Sequence, residues 1–303
     1  KLFNNLNELF NDKHLDDNIY VVIATPSGTH FKIAKSIASN KNWKLIIEKP
    51  TFLYFDDFNI ASNWDNTVIP IFQNRYNKSV IKAKQLINRG CLGKITHASL
   101  SLDWDRPQRY YDLAKWRGTW LEDGGVSTNQ GIHYFDITRH LIGKFSSVDA
   151  RMKRLSANIE CEDYLNALFI MESGIPLDVR MTTAVRHQKE EASLVINGSM
   201  GTLKLWGICC NLLDFHAEET NIKQYGEDLE MPYGYGHKTF FKLISGSNEN
   251  VELKLPTLNE SFETMQFIYS CYSSAISGKK SFPSRNYSDV PLGKKIEKKI
   301  YFV

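Results

Sequence analysis

Three short apolar runs, each ended by a polar turn and separated by helical periodicity, constrain this sequence more than any other feature. Residues 19–24 are rich in β-branched side chains, the composition of a strand buried on both faces. Thr25-Pro26-Ser27-Gly28 halts that run with turn chemistry. Ile33, Ala34, Ile37 and Ala38 then recur at helical spacing within residues 29–40. A second strand over 43–47 is closed by Glu48-Lys49-Pro50, and a weaker helix over 56–63 leads to a third strand over 67–72. This alternation predicts a parallel α/β sheet with right-handed crossovers. Such sheets bind ligands at the carboxyl ends of their strands. Thr25-Pro26, Glu48-Lys49-Pro50 and Gln73-Asn74-Arg75 all fall there.

The pattern changes after a helix over 77–88 closed by Gly90. Residues 94–104 alternate like an antiparallel strand, and further strands are expected over 147–155, 163–171, 175–185, 192–197 and 202–206. Helices over 133–142 and 260–277 would flank them. The run of strands predicts a second, α+β domain on a large, mainly antiparallel open sheet with one face available for packing. Leu2, Phe3, Leu6, Leu9 and Phe10 predict an amphipathic helix over 1–11. Lys294, Lys295, Lys298 and Lys299 read as the solvated face of a C-terminal helix.

Composition excludes several function classes. Of 303 residues, 42% are hydrophobic and 23% charged, as in globular domains, and the net charge of +3 is small for this length. No long basic run interleaves with aromatics, so no nucleic-acid partner is expected. No stretch approaches the ~20 apolar residues that span a bilayer, and no leader pattern opens the sequence, so no membrane association is expected. The five cysteines are irregularly spaced, with no CxxC, so reduced thiols in a cytoplasmic protein and no metal site are expected.

Four segments can carry chemistry. Lys49, at a strand's carboxyl end, can donate to a sugar hydroxyl or polarise a forming carbonyl; a surface lysine before a helix is the plainer alternative. In Gly124-Gly125-Val126-Ser127-Thr128-Asn129-Gln130-Gly131-Ile132-His133, Asn129 and His133 are four apart and share one helical face. His133 has the near-neutral pKa of a general base and Asn129 can orient it or the substrate; capping of a core helix is the competing reading. Trp104-Asp105-Arg106-Pro107-Gln108-Arg109-Tyr110-Tyr111-Asp112 and Trp116-Arg117 put arginines among aromatics. That suits a phosphorylated or carboxylated ligand with a flat base, or an interdomain loop. Pro232-Tyr233-Gly234-Tyr235-Gly236-His237 can close over a site or cap a strand. His14, His97, His140, His187 and His216 have no informative partners and read as structural.

Taken in order, these motifs resemble the glucose-fructose oxidoreductase / inositol dehydrogenase / MocA family. Ala24-Thr25-Pro26 with His30, Glu48-Lys49-Pro50, and Gly124-Gly125 with Asn129, His133 and Asp136 carry the resemblance. Within the family, Gln73-Asn74-Arg75-Tyr76-Asn77, Arg106-Pro107-Gln108, Tyr110-Tyr111-Asp112, Trp116-Arg117-Gly118-Thr119-Trp120, Asn129-Gln130 and Tyr235-Gly236-His237 are similar to UDP-N-acetylglucosaminuronate 3-dehydrogenases. The resemblance implies an N-terminal Rossmann domain, here residues 1–76, and an α+β domain over 77–303 for substrate binding and oligomerisation. One departure stands out: the sequence has no GxGxxG turn and no acid for the cofactor ribose. The Rossmann half is therefore expected to be truncated, with part of its sheet apolar and exposed.

The resemblance further implies an NAD(P)-dependent dehydrogenase, with NAD as the expected cofactor, that oxidises the C3 hydroxyl of a UDP-linked N-acetylated uronic acid for surface polysaccharides. Lys49, His133 and Asn129 would be catalytic. Thr25, Pro26, His30, Glu48, Asn74, Trp116 and Arg117 would contact the cofactor, and Arg106, Gln108 and Tyr111 the nucleotide-sugar. The partner would be a second copy of the chain, joined through the open sheet face. Two other readings remain: a dehydrogenase of a simple sugar or inositol, and a catalytically inactive remnant acting as a scaffold.

Overall fold

A computed structural model describes residues 2–12, 19–186, 190–218, 220–226, 235–248, 252–297 and 300–302. The first helix, α1 (Leu6–Phe10), is shorter than its apolar pattern suggests. Asn5 accepts a hydrogen bond from the Glu8 amide, which sets the start of the helix there. Strand β1 (Tyr20–Ile23), helix α2 (His30–Ala38), strand β2 (Lys44–Ile47), helix α3 (Phe55–Ala61) and strand β3 (Val68–Pro70) follow as expected. The three strands form a parallel sheet in the order β1-β2-β3, so their carboxyl ends share one edge. β2 and β3 are buried almost throughout. β1 is not: it lies at the edge, with Tyr20 40% and Val22 49% exposed. One face of that strand is therefore open, in line with the expected exposed apolar surface.

A 3-10 turn over Gln73–Tyr76 and helix α4 (Lys78–Asn88) lead into β4 (Ile95–Asp103). Two short helices, α5 (Gln108–Asp112) and α6 (Val126–Asn129), precede α7 (Ile132–Ile142). Strands β5 (Phe145–Lys153), β6 (Tyr164–Met171), β7 (Pro176–Thr182), β8 (Glu191–Gly198), β9 (Gly201–Trp206), β10 (Leu212–Ala217) and β11 (Asn221–Gly226) complete the second sheet. Helices α8 (Tyr235–Ile244) and α9 (Leu258–Ser277) follow. The eight strands run β11-β10-β9-β8-β4-β7-β6-β5. The sheet is mixed rather than purely antiparallel, because β4 pairs parallel with β7 while pairing antiparallel with β8. Alternation along β4 reports which face is buried, not the direction of its neighbours. β10 and β11 were not anticipated from sequence. The Lys-rich C-terminal stretch forms a turn at residues 292–293 and irregular chain through 297 rather than a helix, with Gly293 at φ +77°; Lys298 and Lys299 lie outside the described residues.

α7 and α9 cover one face of this sheet. Phe135, Phe145, Phe169 and Phe267, from α7, β5, β6 and α9, pack with ring centroids 4.5–5.9 Å apart. Each buried ring stabilises the layer by roughly 1.5–3 kcal/mol. α9 starts with a reciprocal capping box between Thr257 and Glu260. The opposite sheet face carries Leu168, 45% exposed, and a bidentate Asp103–Arg180 pair. Among the described residues no helix is long and apolar enough to cross a membrane.

Candidate active site

The carboxyl edge of the parallel sheet meets α6, α7 and the β9–β10 turn around a cavity of about 300 Å³. Lys49, Asn74, Arg106, Asn129 and His133 line it, together with Gln73, Trp104, Tyr110, Gln130, Tyr134 and Cys209. Five of the residues named from sequence thus converge on one pocket. The Lys49–Pro50 peptide is cis. Lys49 Nζ donates to the Asn129 carbonyl oxygen at 2.9 Å, which ties the end of β2 to α6. Burial pushes the Lys49 ammonium below its usual pKa, and the Glu48 and Asp123 carboxylates oppose that drop. Burial, then the charges of Lys49 and His237, push His133 well down, so its imidazole is neutral. His133 Nδ1 is buried with no hydrogen-bond partner among the described residues, so no carbonyl or carboxylate fixes its tautomer.

Two features hold the walls. Arg75 donates through Nε and Nη2 to Asp136, both at 2.6 Å, and so locks the Gln73–Tyr76 turn to α7. The β9–β10 turn is fixed through three successive carbonyls. Tyr134 Oη donates to Ile208 at 2.5 Å, Asn77 Nδ2 to Cys209 at 3.0 Å and Ser79 Oγ to Cys210 at 2.6 Å. Cys209 is thereby set into the wall of the pocket. Its thiol is pushed up to about 12 by burial, so it is a neutral wall and not a thiolate.

The remaining expected residues divide by location. Thr25 and Glu48 sit at the ends of β1 and β2, where Thr25 Oγ1 meets Thr29 Oγ1 at 2.7 Å. His30 is buried with Nδ1 2.9 Å from the Pro50 carbonyl and Nε2 2.8 Å from that of Thr25. It braces the two turns, including the one that contains Pro26. Burial alone would raise the Glu48 carboxyl; the neighbouring His237 imidazole and the charge of Lys49 outweigh it and lower its pKa. His237 Nε2 lies 3.6 Å from Glu48 Oε1. The Gly-aromatic segment therefore delivers helix α8 to this edge, although residues 232–234 lie outside the described residues. Gly236 lies so close to the Gln73 carbonyl that a Cβ there would overlap it.

The arginine-aromatic segments pack largely on themselves. The Arg106 guanidinium lies 4.7 Å from the Trp104 ring centroid and 5.1 Å from that of Tyr110, and it pairs with Glu190. Arg117 lies 4.1 Å from the Tyr110 centroid and 5.5 Å from that of Trp116. Gln108, Tyr111 and Arg117 line a separate cavity of about 640 Å³ that shares no residue with the first. The Gln108 amide bonds Asp112 and the Asn158 backbone, and Tyr111 Oη bonds Thr183.

Cys209 and Asp123 were missed from sequence. The position of Asp123 just ahead of the glycine pair was a signal that could have found it. Cys209 had none, because only the tertiary fold brings it here.

Residues 1–62 match the profile of an oxidoreductase family with an NAD-binding Rossmann fold, and residues 80–204 that of the GFO/IDH/MocA C-terminal domain. The chain belongs to the Gfo/Idh/MocA oxidoreductase family. Members are oxidoreductases, and the family's cofactor is NAD. Over 92% of this chain and 82% of the other, the fold matches the WlbA dehydrogenase from Bordetella pertussis, solved with NADH and UDP-GlcNAcA, at 26% identity and TM-score 0.75. The uncharacterized oxidoreductase YdgJ of Escherichia coli is 26% identical over 82% of this chain and 68% of its own length. D-apiose dehydrogenase of Rhizobium rhizogenes is 26% identical over 65% of this chain and 57% of its own length.

Proposed function

We propose that this chain oxidises the C3 hydroxyl of a UDP-linked N-acetylated sugar uronic acid, a precursor of surface polysaccharide, with NAD as hydride acceptor. The observation that carries the reading is the convergence of Lys49, Asn129 and a neutral His133 on one pocket at the carboxyl edge of the parallel sheet. The similarity to a dehydrogenase solved with UDP-GlcNAcA supports the substrate class.

Asn74 lines the pocket and Glu48 adjoins it at the same edge, where they would hold the nicotinamide side of NAD. NAD, when bound, would supply the hydride acceptor. His133, uncharged, takes the hydroxyl proton through Nε2, the nitrogen opposite its buried Nδ1. Lys49 has two N–H donors beyond the one spent on the Asn129 carbonyl. One of them bonds the hydroxyl oxygen and stabilises the negative charge that builds as the proton leaves. Asn129 positions the substrate. Arg106, held against Trp104 and Tyr110, offers a pre-oriented guanidinium to a carboxylate or phosphate. Under this reading residues 1–76 hold NAD and 77–303 hold the sugar. Two copies associate through the open sheet face with Leu168 and the Asp103–Arg180 pair.

The test is NADH formation by the purified chain with UDP-linked uronic acids against free pyranoses and inositols. Turnover is expected with the UDP-linked acids. Lys49→Met and His133→Asn should each lower kcat by about 10²- to 10⁴-fold while NADH affinity holds. Equal turnover of free sugars overturns the substrate class, and unchanged kcat in both variants overturns the residue roles.

A further inference from the structure

Asp123 belongs to none of the catalytic or binding roles above, yet it is the most deeply buried carboxylate bonded to a pocket residue. It is 2% exposed and sits directly before Gly124 and Gly125, in the turn that leads into α6. Its Oδ1 accepts from Asn129 Nδ2 at 2.5 Å and its Oδ2 from the Gly118 amide at 2.8 Å. Lys49 lies within its field and itself donates to the Asn129 backbone carbonyl. Asp123, Asn129 and Lys49 therefore form one connected unit.

The chemistry of the three groups fixes an orientation. An ionised carboxylate only accepts, so it can hold the Asn129 side chain only by its NH2 end. The Asn129 carbonyl oxygen is then turned away from the carboxylate. Asn129 lines the reaction pocket, and no hydrogen bond among the described residues engages its Oδ1. We propose that Asp123 is a positioning residue that locks the Asn129 amide with its carbonyl oxygen toward the substrate, so that this position selects a hydrogen-bond donor, and that adds to Glu48 a second counter-charge for Lys49. The donor is a hydroxyl or amide N–H on the ligand, and the catalytic part of the inference rests on the dehydrogenase reading above.

The groups that face Asp123 are Lys49 from the end of β2, Arg117 from the turn after α5, and the Gly118 amide and Asn129 side chain. Tyr110, Tyr111 and Cys161 lie within its field as neutral groups. Burial raises the Asp123 carboxyl to about 6, against the pull of the Gly118 and Asn129 hydrogen bonds and the Lys49 and Arg117 charges. Protonation near that pH removes the acceptor-only rule and frees the Asn129 amide to turn.

The test follows the Asn129 side-chain amide by ¹H–¹⁵N NMR across a pH titration, with the resonance assigned through Asn129→Ser. In the unmodified chain the amide protons should shift with a midpoint near 6. In Asp123→Asn, checked for a cooperative melt, the titration should vanish. An amide signal flat with pH in the unmodified chain, or one that titrates equally in Asp123→Asn, overturns the lock. Asp123→Asn should also lower kcat by about tenfold or more, within the range for misplaced catalytic groups, with NADH affinity unchanged. It should move the alkaline limb of the pH–rate profile to lower pH, because Lys49 loses a counter-charge. An unmoved limb overturns the link to Lys49. The NMR result needs no turnover. If the amide behaves as expected and no sugar is oxidised, the proposed function fails and the Asp123 lock stands.

Discussion

Replacing Asp136 by Asn removes the charge that Arg75 needs and leaves the rest of the geometry in place. The two groups are buried, at 5% and 2% side-chain exposure, and meet through two bonds of 2.6 Å. Thr264 Oγ1 donates a third bond to Asp136 at 2.9 Å. Among the described residues, the carboxylate left to Arg75 is Glu260, 3.3 Å away and shared with Arg139. Breaking one side of such a buried pair costs about 3–5 kcal/mol, because a desolvated charge loses its closest partner. That is a large share of a folded protein's roughly 5–15 kcal/mol. With a urea m-value of about 3 kcal/mol/M, the unfolding midpoint should fall by about 1–1.7 M. The double variant Arg75→Met, Asp136→Leu leaves no orphaned charge and should lie closer to the unmodified chain than Asp136→Asn does. A midpoint drop below about 0.3 M for Asp136→Asn, the loss expected of an exposed pair, would refute the argument that this contact joins the Gln73–Tyr76 turn to α7.

Two further predictions concern stability and packing. Glu162 is fully buried beneath α6, where it accepts from Ser127 and Tyr272, and burial lifts its carboxyl to about 7 from 4.5 despite those bonds. A raised acid favours the folded state while protonated, so this contribution is complete below about 4.5 and is lost as pH rises through about 7. Glu162→Gln should flatten the Tm-against-pH curve across that window, and parallel curves would show that Glu162 does not titrate there. Gly236→Ala should drive α8 off the Gln73 carbonyl, at a cost of about 1–3 kcal/mol in chemical unfolding; an unchanged unfolding curve would mean the helix can shift at no cost.

Local patterning carried the parallel half. Its strands end in polar triplets, and the shared edge follows from a parallel β1-β2-β3 order. Lys49, Asn129 and His133 were legible because helical spacing and strand ends fix their positions with little tertiary information. The large sheet was less legible. β11 carries weak alternation, although β10 alternates over Leu213-Asp214-Phe215-His216-Ala217, and the parallel β4–β7 pairing is a long-range choice that a strand's own residues do not record. The arginine-aromatic loops showed the limit of composition. Residue type suggested ligand-stacking surfaces, but Tyr110 and Trp116 pack against the chain's own Arg106 and Arg117. Asp123 was legible only as a neighbour of two glycines, and its partners come from elements that meet only in the fold.

The β9–β10 turn is held by the carbonyls of residues 208–210, a group that every amino acid carries. Those three bonds do not use the side chain at position 209, whose thiol adds longer contacts to Asn211 Oδ1 at 3.7 Å and Asn77 Nδ2 at 3.9 Å and lines the proposed reaction pocket. Scaffold and pocket lining are largely separated at this position. Under the proposed function, exchanging residue 209 would reshape the pocket while the turn's length and its three carbonyl bonds stay fixed.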